Sequence, residues 1–165
     1  MKKRYIVFIL MLLTAAVFCS CAKEEFSSTL SCKDLSSTLE SEFSPDKTEF
    51  SRYTDEELKF LFPDSDVYNE AIVIYSTDSV DITEIGVMRA ESEKEAVALF
   101  EDAKNYIKDL QEQKREFLQS YSPKELSKLN SAEAKRFGQY VVFAIAEQGD
   151  VDKVFKKAEM LLTKN

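Results

Sequence analysis

Carboxylates have the widest chemical reach in this sequence: Asp64 and Asp66, Asp78 and Asp81, and Asp150 and Asp152 stand in close pairs. Two acids about 5 to 9.5 Å apart across a sugar-binding cleft can cleave a glycosidic bond without any histidine. These pairs, however, fall where turns and helix starts are expected, and there Asp caps backbone amides and solvates loops. Capping is the favoured reading, and a His-free hydrolase using paired carboxylates is the alternative. Asp64-Ser65-Asp66 begins like a calcium loop but lacks the Gly and closing Glu that such a loop requires, so no metal site is expected. There is no Gly-rich phosphate loop and no G-x-S-x-G nucleophile elbow. His and Trp are absent, which excludes histidine general bases, Ser-His-Asp triads and every His-containing zinc site. No cofactor is implied.

The cysteines point to attachment rather than catalysis. Lys2, Lys3 and Arg4 precede an apolar run over residues 5–18, broken only by Thr14 and followed by Cys19-Ser20-Cys21. A charged start, a short apolar run and a small residue before the break form the pattern of a secretory signal peptide. The run is shorter than the ~20 residues of a membrane-spanning helix, so a permanent span is the weaker reading. The ending resembles a bacterial lipobox, in which a cysteine after a small residue receives a diacylglycerol and becomes residue one. Cys21, behind Ser20, fits that pattern, and Cys19, behind bulky Phe18, does not. Simple secretion with cleavage nearby is the alternative. Cys32 is then the single free thiol; it has no disulfide partner, and a half-buried filler on an amphipathic helix is favoured over a reactive nucleophile.

Residues 1–20 are therefore assigned to a lipoprotein signal peptide, 21–30 to the lipidated Cys and a polar tether, and 31–165 to one domain. The net charge is −8, and with three basic residues removed and all 30 acidic ones kept it becomes −11. A chain of that sign does not bind nucleic acid through phosphate contacts. It is also repelled by anionic head groups, so the expected membrane contact is the lipid anchor alone, on the extracytoplasmic face.

The elements that would position any site follow from periodicity. Cys32, Leu35, Leu39 and Phe43 share one face of a first helix ended by Ser44-Pro45. Thr54 to Glu57 is a capping box for a short helix that stops at Phe62-Pro63. Residues 71–75 form a buried strand, and residues 83–88 a second that returns antiparallel to it. Ser92 to Glu95 is another capping box, opening a helix of ~25 residues with Ala96, Phe100, Ala103, Ile107, Leu110, Phe117 and Tyr121 as its stripe; packing on a sheet is favoured over a coiled-coil seam. Ser122-Pro123 restarts a short helix whose cap Glu125 completes. Residues 132–137 and 140–146 form a hairpin around Gly138-Gln139, with Gly138 at the first corner of a type II′ turn. Gly149-Asp150 caps a last helix facing inward through Val151, Val154, Phe155, Ala158, Leu161 and Leu162. The fold class is α+β: a four-stranded antiparallel sheet in ββαββα order, packed by helices and preceded by N-terminal helices.

Phe50, Tyr53, Phe60, Phe62 and Tyr68 cluster between the first helix and the first strand. A lid over the open end of the sheet is favoured, with a ligand groove as the alternative. Tyr121 and Tyr140 offer a candidate binding surface if exposed, and otherwise pack with their hydroxyls at the rim.

Glu84-Ile85-Gly86-Val87, the charged helix from Glu93, Tyr121-Ser122-Pro123-Lys124-Glu125 and Gly138-Gln139-Tyr140-Val141 occur in an order that resembles an uncharacterised domain-of-unknown-function family of small lipoproteins from anaerobic Gram-positive bacteria. The resemblance covers about half of the chain after Cys21. It implies an exported, lipid-anchored α+β domain and carries over no reaction, ligand or catalytic residue. The function expected is a non-catalytic binding or accessory module of the cell envelope, with an envelope protein or a small ligand as partner.

Overall fold

The strand Tyr140–Ile145 consists of six buried residues, and the faces they take set the architecture. The computed structural model describes residues 25–26, 29–42, 49–62 and 68–164. Their elements run α1 (Cys32–Glu40), β1 (Phe50–Arg52), α2 (Asp55–Leu61), β2 (Glu70–Ser76), β3 (Glu84–Arg89), α3 (Glu93–Tyr121), α4 (Pro123–Asn130), β4 (Glu133–Phe137), β5 (Tyr140–Ile145) and α5 (Gln148–Leu162). Tyr140, Val142 and Ala144 enter one hydrophobic layer, and Val141 and Phe143 enter another. Core therefore lies on both sides of the sheet, as an unbroken apolar strand requires.

The sheet has five antiparallel strands in the order β1-β2-β3-β5-β4, not four. The additional strand, β1, is three residues long and only partly buried. It carries no alternation to reveal it, and its identity comes from pairing Phe50 with Ser76 and Arg52 with Ile74 on the free edge of β2. On one face, α1 and α5 bring Leu35, Leu39, Val154 and Phe155 onto Ile74, Ile85 and Val87. On the other, α3 lays Ala96, Leu99, Ala103 and Ile107 over Val73, Met88 and Phe143, and α2 adds Leu58. Gly86 is what admits Phe143, since a Cβ there would lie 1.9 Å from the ring.

The helix starts differ from expectation in instructive ways. Thr54 and Glu57 make the complete reciprocal box. Ser92 accepts from the Glu95 N–H at 3.2 Å, but the Glu95 carboxylate takes the Ser92 hydroxyl and not its backbone. Pro123 occupies the first turn of α4, yet Ser122 makes no side-chain cap, and Glu125 instead accepts from the Ile82 N–H at 3.0 Å. α5 begins before Gly149-Asp150, with Glu147 at its cap position, and Asp150 pairs with Lys153 at 2.7 Å.

α3 has 29 residues and its stripe turns differently at the far end. Leu118 is buried there, while Phe117 and Tyr121 are 62% and 77% exposed. Leu118 returns to within about 20° of the Ile107 direction after three turns, whereas Phe117 is about 80° away. Leu118 packs with Leu129 of α4 and Ile145 of β5.

Gly138 has φ +60°, the sole positive φ among the described residues. Phe137 pairs with Tyr140 across it, so the loop has two residues and the second, Gln139, stays at negative φ. That combination is type II′ and excludes I′. At this end of the sheet Phe26 bridges to Thr163, and its ring packs edge-on against Phe137 at 5.9 Å. The Glu25 carbonyl accepts from the Lys164 N–H at 2.8 Å. Phe43, Ser44-Pro45, Pro63, Cys19 and Cys21 lie outside the described residues.

Candidate functional site

At the end of the sheet away from the Gly138 turn, Tyr75, Glu84 and Ile145 stand abreast on β2, β3 and β5. Glu84 follows the alternation of Gly86 and Met88, which directs it toward α3 rather than to solvent. It is buried, and the Tyr106 hydroxyl from α3 lies 2.9 Å from each of its carboxylate oxygens. Burial pushes the Glu84 carboxyl up to about 7, against the Tyr106 hydrogen bond and the Lys114 charge, which pull it down. The Tyr106 phenol is itself pushed far above its usual range by burial and by Glu84, so it keeps its proton and donates. Tyr53, stacked on Tyr75 with ring centroids 4.5 Å apart, is pushed up to about 12 by burial and then by Glu84.

These groups line a cleft of about 370 Å³, whose wall also includes Asp78, Asp81 and Lys114. Beneath its rim is a compact ion cluster. Lys128 donates to Asp81 at 2.6 Å and pairs with Glu125 at 3.0 Å. Asp81 also accepts from the Thr83 N–H at 2.8 Å and the Thr83 hydroxyl at 2.6 Å. Burial would raise the Asp81 carboxyl, but the Lys128 and Thr83 hydrogen bonds outweigh it and hold it below the usual range. Lys128 is raised because Asp81 and Glu125 overcome the effect of its burial. The cluster ties the β2–β3 loop to α4 and sets the cleft wall.

A second hollow of about 410 Å³ adjoins the first, sharing Ser79, Ile82 and Lys114 with it and walled by Val80, Phe117 and Tyr121. Phe117 and Tyr121 stack at 5.0 Å. Tyr121 is thus part of an open aromatic surface. Tyr140 is not: it is fully buried in the α1/α5 layer, where its hydroxyl donates to the Leu30 carbonyl and the Arg89 guanidinium lies 5.9 Å from its ring centroid. The aromatic group ahead of β2 divides. Phe62 is buried against Tyr106 and Phe143, Phe50 packs on the opposite layer, Tyr53 lines the cleft, and Phe60 is 86% exposed.

Of the acid pairs, Asp64 and Asp66 lie outside the described residues. Asp78 accepts from the Val80 N–H at 3.1 Å, which is turn capping, and Asp152 accepts from Gln148 at 3.0 Å. Cys32 is buried, and its thiol is pushed well above the usual range by burial first and Glu70 next. Such a thiol is inert. No group of three or more His, Cys, Asp or Glu suited to a metal occurs among the described residues.

Sequence reasoning missed Glu84, Tyr106, Lys114 and Lys128. The signal that finds Glu84 is its parity: an acid in phase with Gly86 and Met88 on a buried strand needs a partner. Tyr106 sits beside the inward position Ile107, where a hydroxyl can reach back over the strand.

The fold and cleft together define an α+β domain with helices on both faces of its sheet and a polar, tyrosine-lined hollow at one end. Residues 44–146 match the family described as a domain of unknown function, DUF4358, and the chain belongs to that family. The matched segment begins ahead of Glu84 and includes every strand and the whole cleft, leaving α1 and α5 outside it. No curated protein and no solved structure matches.

Proposed function

We propose that this protein is a non-catalytic binding module of the cell envelope, held at the extracytoplasmic face of the membrane by lipid on Cys21. The observation that carries the reading is the continuity of the tyrosine-lined cleft with the open Val80, Phe117 and Tyr121 hollow. Exposed aromatic side chains beside a concave polar site are the surface features that recognition uses. The anchor is supported by Lys2 to Arg4, the apolar run and Ser20-Cys21. No helix among the described residues is long and apolar enough to cross a membrane.

The hydrolase alternative has one observation on its side: Glu84 raised and Asp81 lowered in a single cleft, the divergence that acid and base roles require. Against it, Asp81 is tied by Lys128 and both Thr83 donors on one carboxylate oxygen and held below the usual range, which leaves it a poor base. The test is cross-linking and capture from native membranes with the lipidated full chain, comparing wild type with Phe117→Ser/Tyr121→Ser. A defined partner lost in the variant supports the binding reading. An unchanged capture profile, together with glycoside turnover abolished by Glu84→Gln, would replace it with the hydrolase.

A further inference from the structure

The cleft carries two opposite charges that do not meet. Glu84 lies in its floor, its carboxylate hydrogen-bonded, among the described residues, to the Tyr106 hydroxyl alone. Lys114 stands on the wall, makes no ion pair among the described residues, and is felt by Glu84 only as a through-space charge. Lys128, by contrast, is consumed by Asp81 and Glu125. Tyr53, Tyr75 and Tyr106 line the same cleft as Glu84. A carboxylate among aromatic rings is the environment that binds an ammonium, through charge and through the ring quadrupoles.

A simple cation would meet repulsion from Lys114 at the wall, and a simple anion would meet Glu84, Asp78 and Asp81. A molecule bearing both charges satisfies both ends. The volume of about 370 Å³ is at the small end of the roughly 300 to 1,000 Å³ typical of small-molecule sites. We propose that the cleft binds a small zwitterion with a primary ammonium and a carboxylate, the chemistry of an amino acid or a dipeptide, its ammonium against Glu84 among the tyrosines and its carboxylate on Lys114. This rests on the reading of the cleft as a binding site and names the class of its ligand.

A further consequence follows from the titration of Glu84. An ammonium beside it favours the ionised form, so binding near neutral pH releases a proton from the protein. The amount released is greatest between the Glu84 midpoint of the free protein and the lower midpoint of the complex, and falls above and below that window.

The experiment is isothermal titration of the full chain in detergent near pH 7, in buffers of different ionisation enthalpy. The probes are L-leucine and L-alanyl-L-alanine, with L-leucine methyl ester as the cation-only control and N-acetyl-L-leucine as the anion-only control. Binding of leucine or dialanine with net proton release, at least tenfold tighter than either control, supports the proposal, and whichever zwitterion binds identifies the source. Glu84→Gln is expected to abolish the proton release and weaken binding tenfold or more. Lys114→Met, on the wall and outside the buried core, is expected to weaken the zwitterion tenfold while leaving the methyl ester unchanged or tighter. Absence of binding, equal affinity for either control, or indifference to Lys114→Met overturns the proposal. Partner capture that still depends on Phe117 and Tyr121 would in that case leave the broader binding reading standing.

Discussion

Glu84 is the residue through which pH reaches the fold. Its carboxyl is raised from 4.5 to about 7 by burial, so between those values the folded chain holds a proton that the unfolded chain has released. Its contribution to stability is complete below about pH 4.5, declines as pH rises and is lost above about pH 7. The decline amounts to on the order of 3 kcal/mol, and Glu84→Gln should flatten it. Chemical denaturation from pH 4 to 8 reads both curves; parallel slopes would show that Glu84 is not the titrating group. Lys128 behaves oppositely, because Lys128→Met leaves Asp81 and Glu125 facing each other without their cation. Removing one partner of a buried pair typically costs about 3 to 5 kcal/mol, and acid should partly restore this variant by neutralising the two carboxylates. A variant whose deficit is the same at pH 4 and pH 8 would contradict that account. Beyond the parity of Glu84 with Gly86 and Met88, little of this was legible in the sequence as chemistry. Glu84 stood there inside a strand of uneven alternation, and Lys128 was one of three charges on a short helix, with Lys124 and Glu125. What makes each of them special is a partner far along the chain: Tyr106 in one case, Asp81 in the other.

At the scale of elements, the β4–β5 hairpin was read correctly because its local rules agree. Alternation put Tyr140, Val142 and Ala144 opposite Val141, Phe143 and Ile145, and Gly138 supplied the positive φ that the turn needs. The structure adds a second constraint, since a Cβ on Gly138 would lie 2.8 Å from the Cβ of Phe26. Gly138→Val therefore meets backbone strain of about 1 to 3 kcal/mol and displaces Phe26 as well. Gln139→Asn loses only the side-chain bond to the Glu91 carbonyl, 2.7 Å long, and should cost about 1 kcal/mol. Denaturation midpoints of the two variants check this, and equal midpoints would refute the turn assignment. Elements without such agreement were not readable. β1 is too short to show a period and exists because β2 has a free edge to pair with. The far half of α3 offered Phe117 and Tyr121 as plausible core residues, and only the rotation of the helix and the position of α4 decide that Leu118 takes that place. The caps expected at Glu125 and Asp150 failed for a related reason: Glu125 found the Ile82 N–H and Lys128, and Asp150 found Lys153.

For the molecule as a whole, the two ends of the sheet differ in kind. Phe26 and Leu30 fasten the N-terminal segment beside the Gly138 turn, through Phe137, Tyr140 and Arg89, while Glu84 and Ile145 mark the opposite end, where the cleft opens. The strands separate these ends by roughly 17 Å, five residues at about 3.4 Å each. Cys21 is only four residues before Glu25. A lipid on its sulfur would therefore hold the turn end nearest the bilayer and present the cleft, with Phe117 and Tyr121, away from it. The net acidic charge acts in the same sense, because repulsion from anionic head groups discourages the domain from lying flat. The orientation is measurable with single labelling cysteines, Gln139→Cys at the partly exposed turn and Ser79→Cys at the exposed rim of the cleft, because buried Cys32 is shielded from the reagent. With the lipidated protein in vesicles carrying a head-group energy acceptor, transfer should be markedly stronger from position 139 than from position 79. A Cys21→Ala background should abolish acylation and transfer from both positions. Equal transfer from the two labels would mean that the cleft faces the membrane, and its partner would then have to be sought in the bilayer.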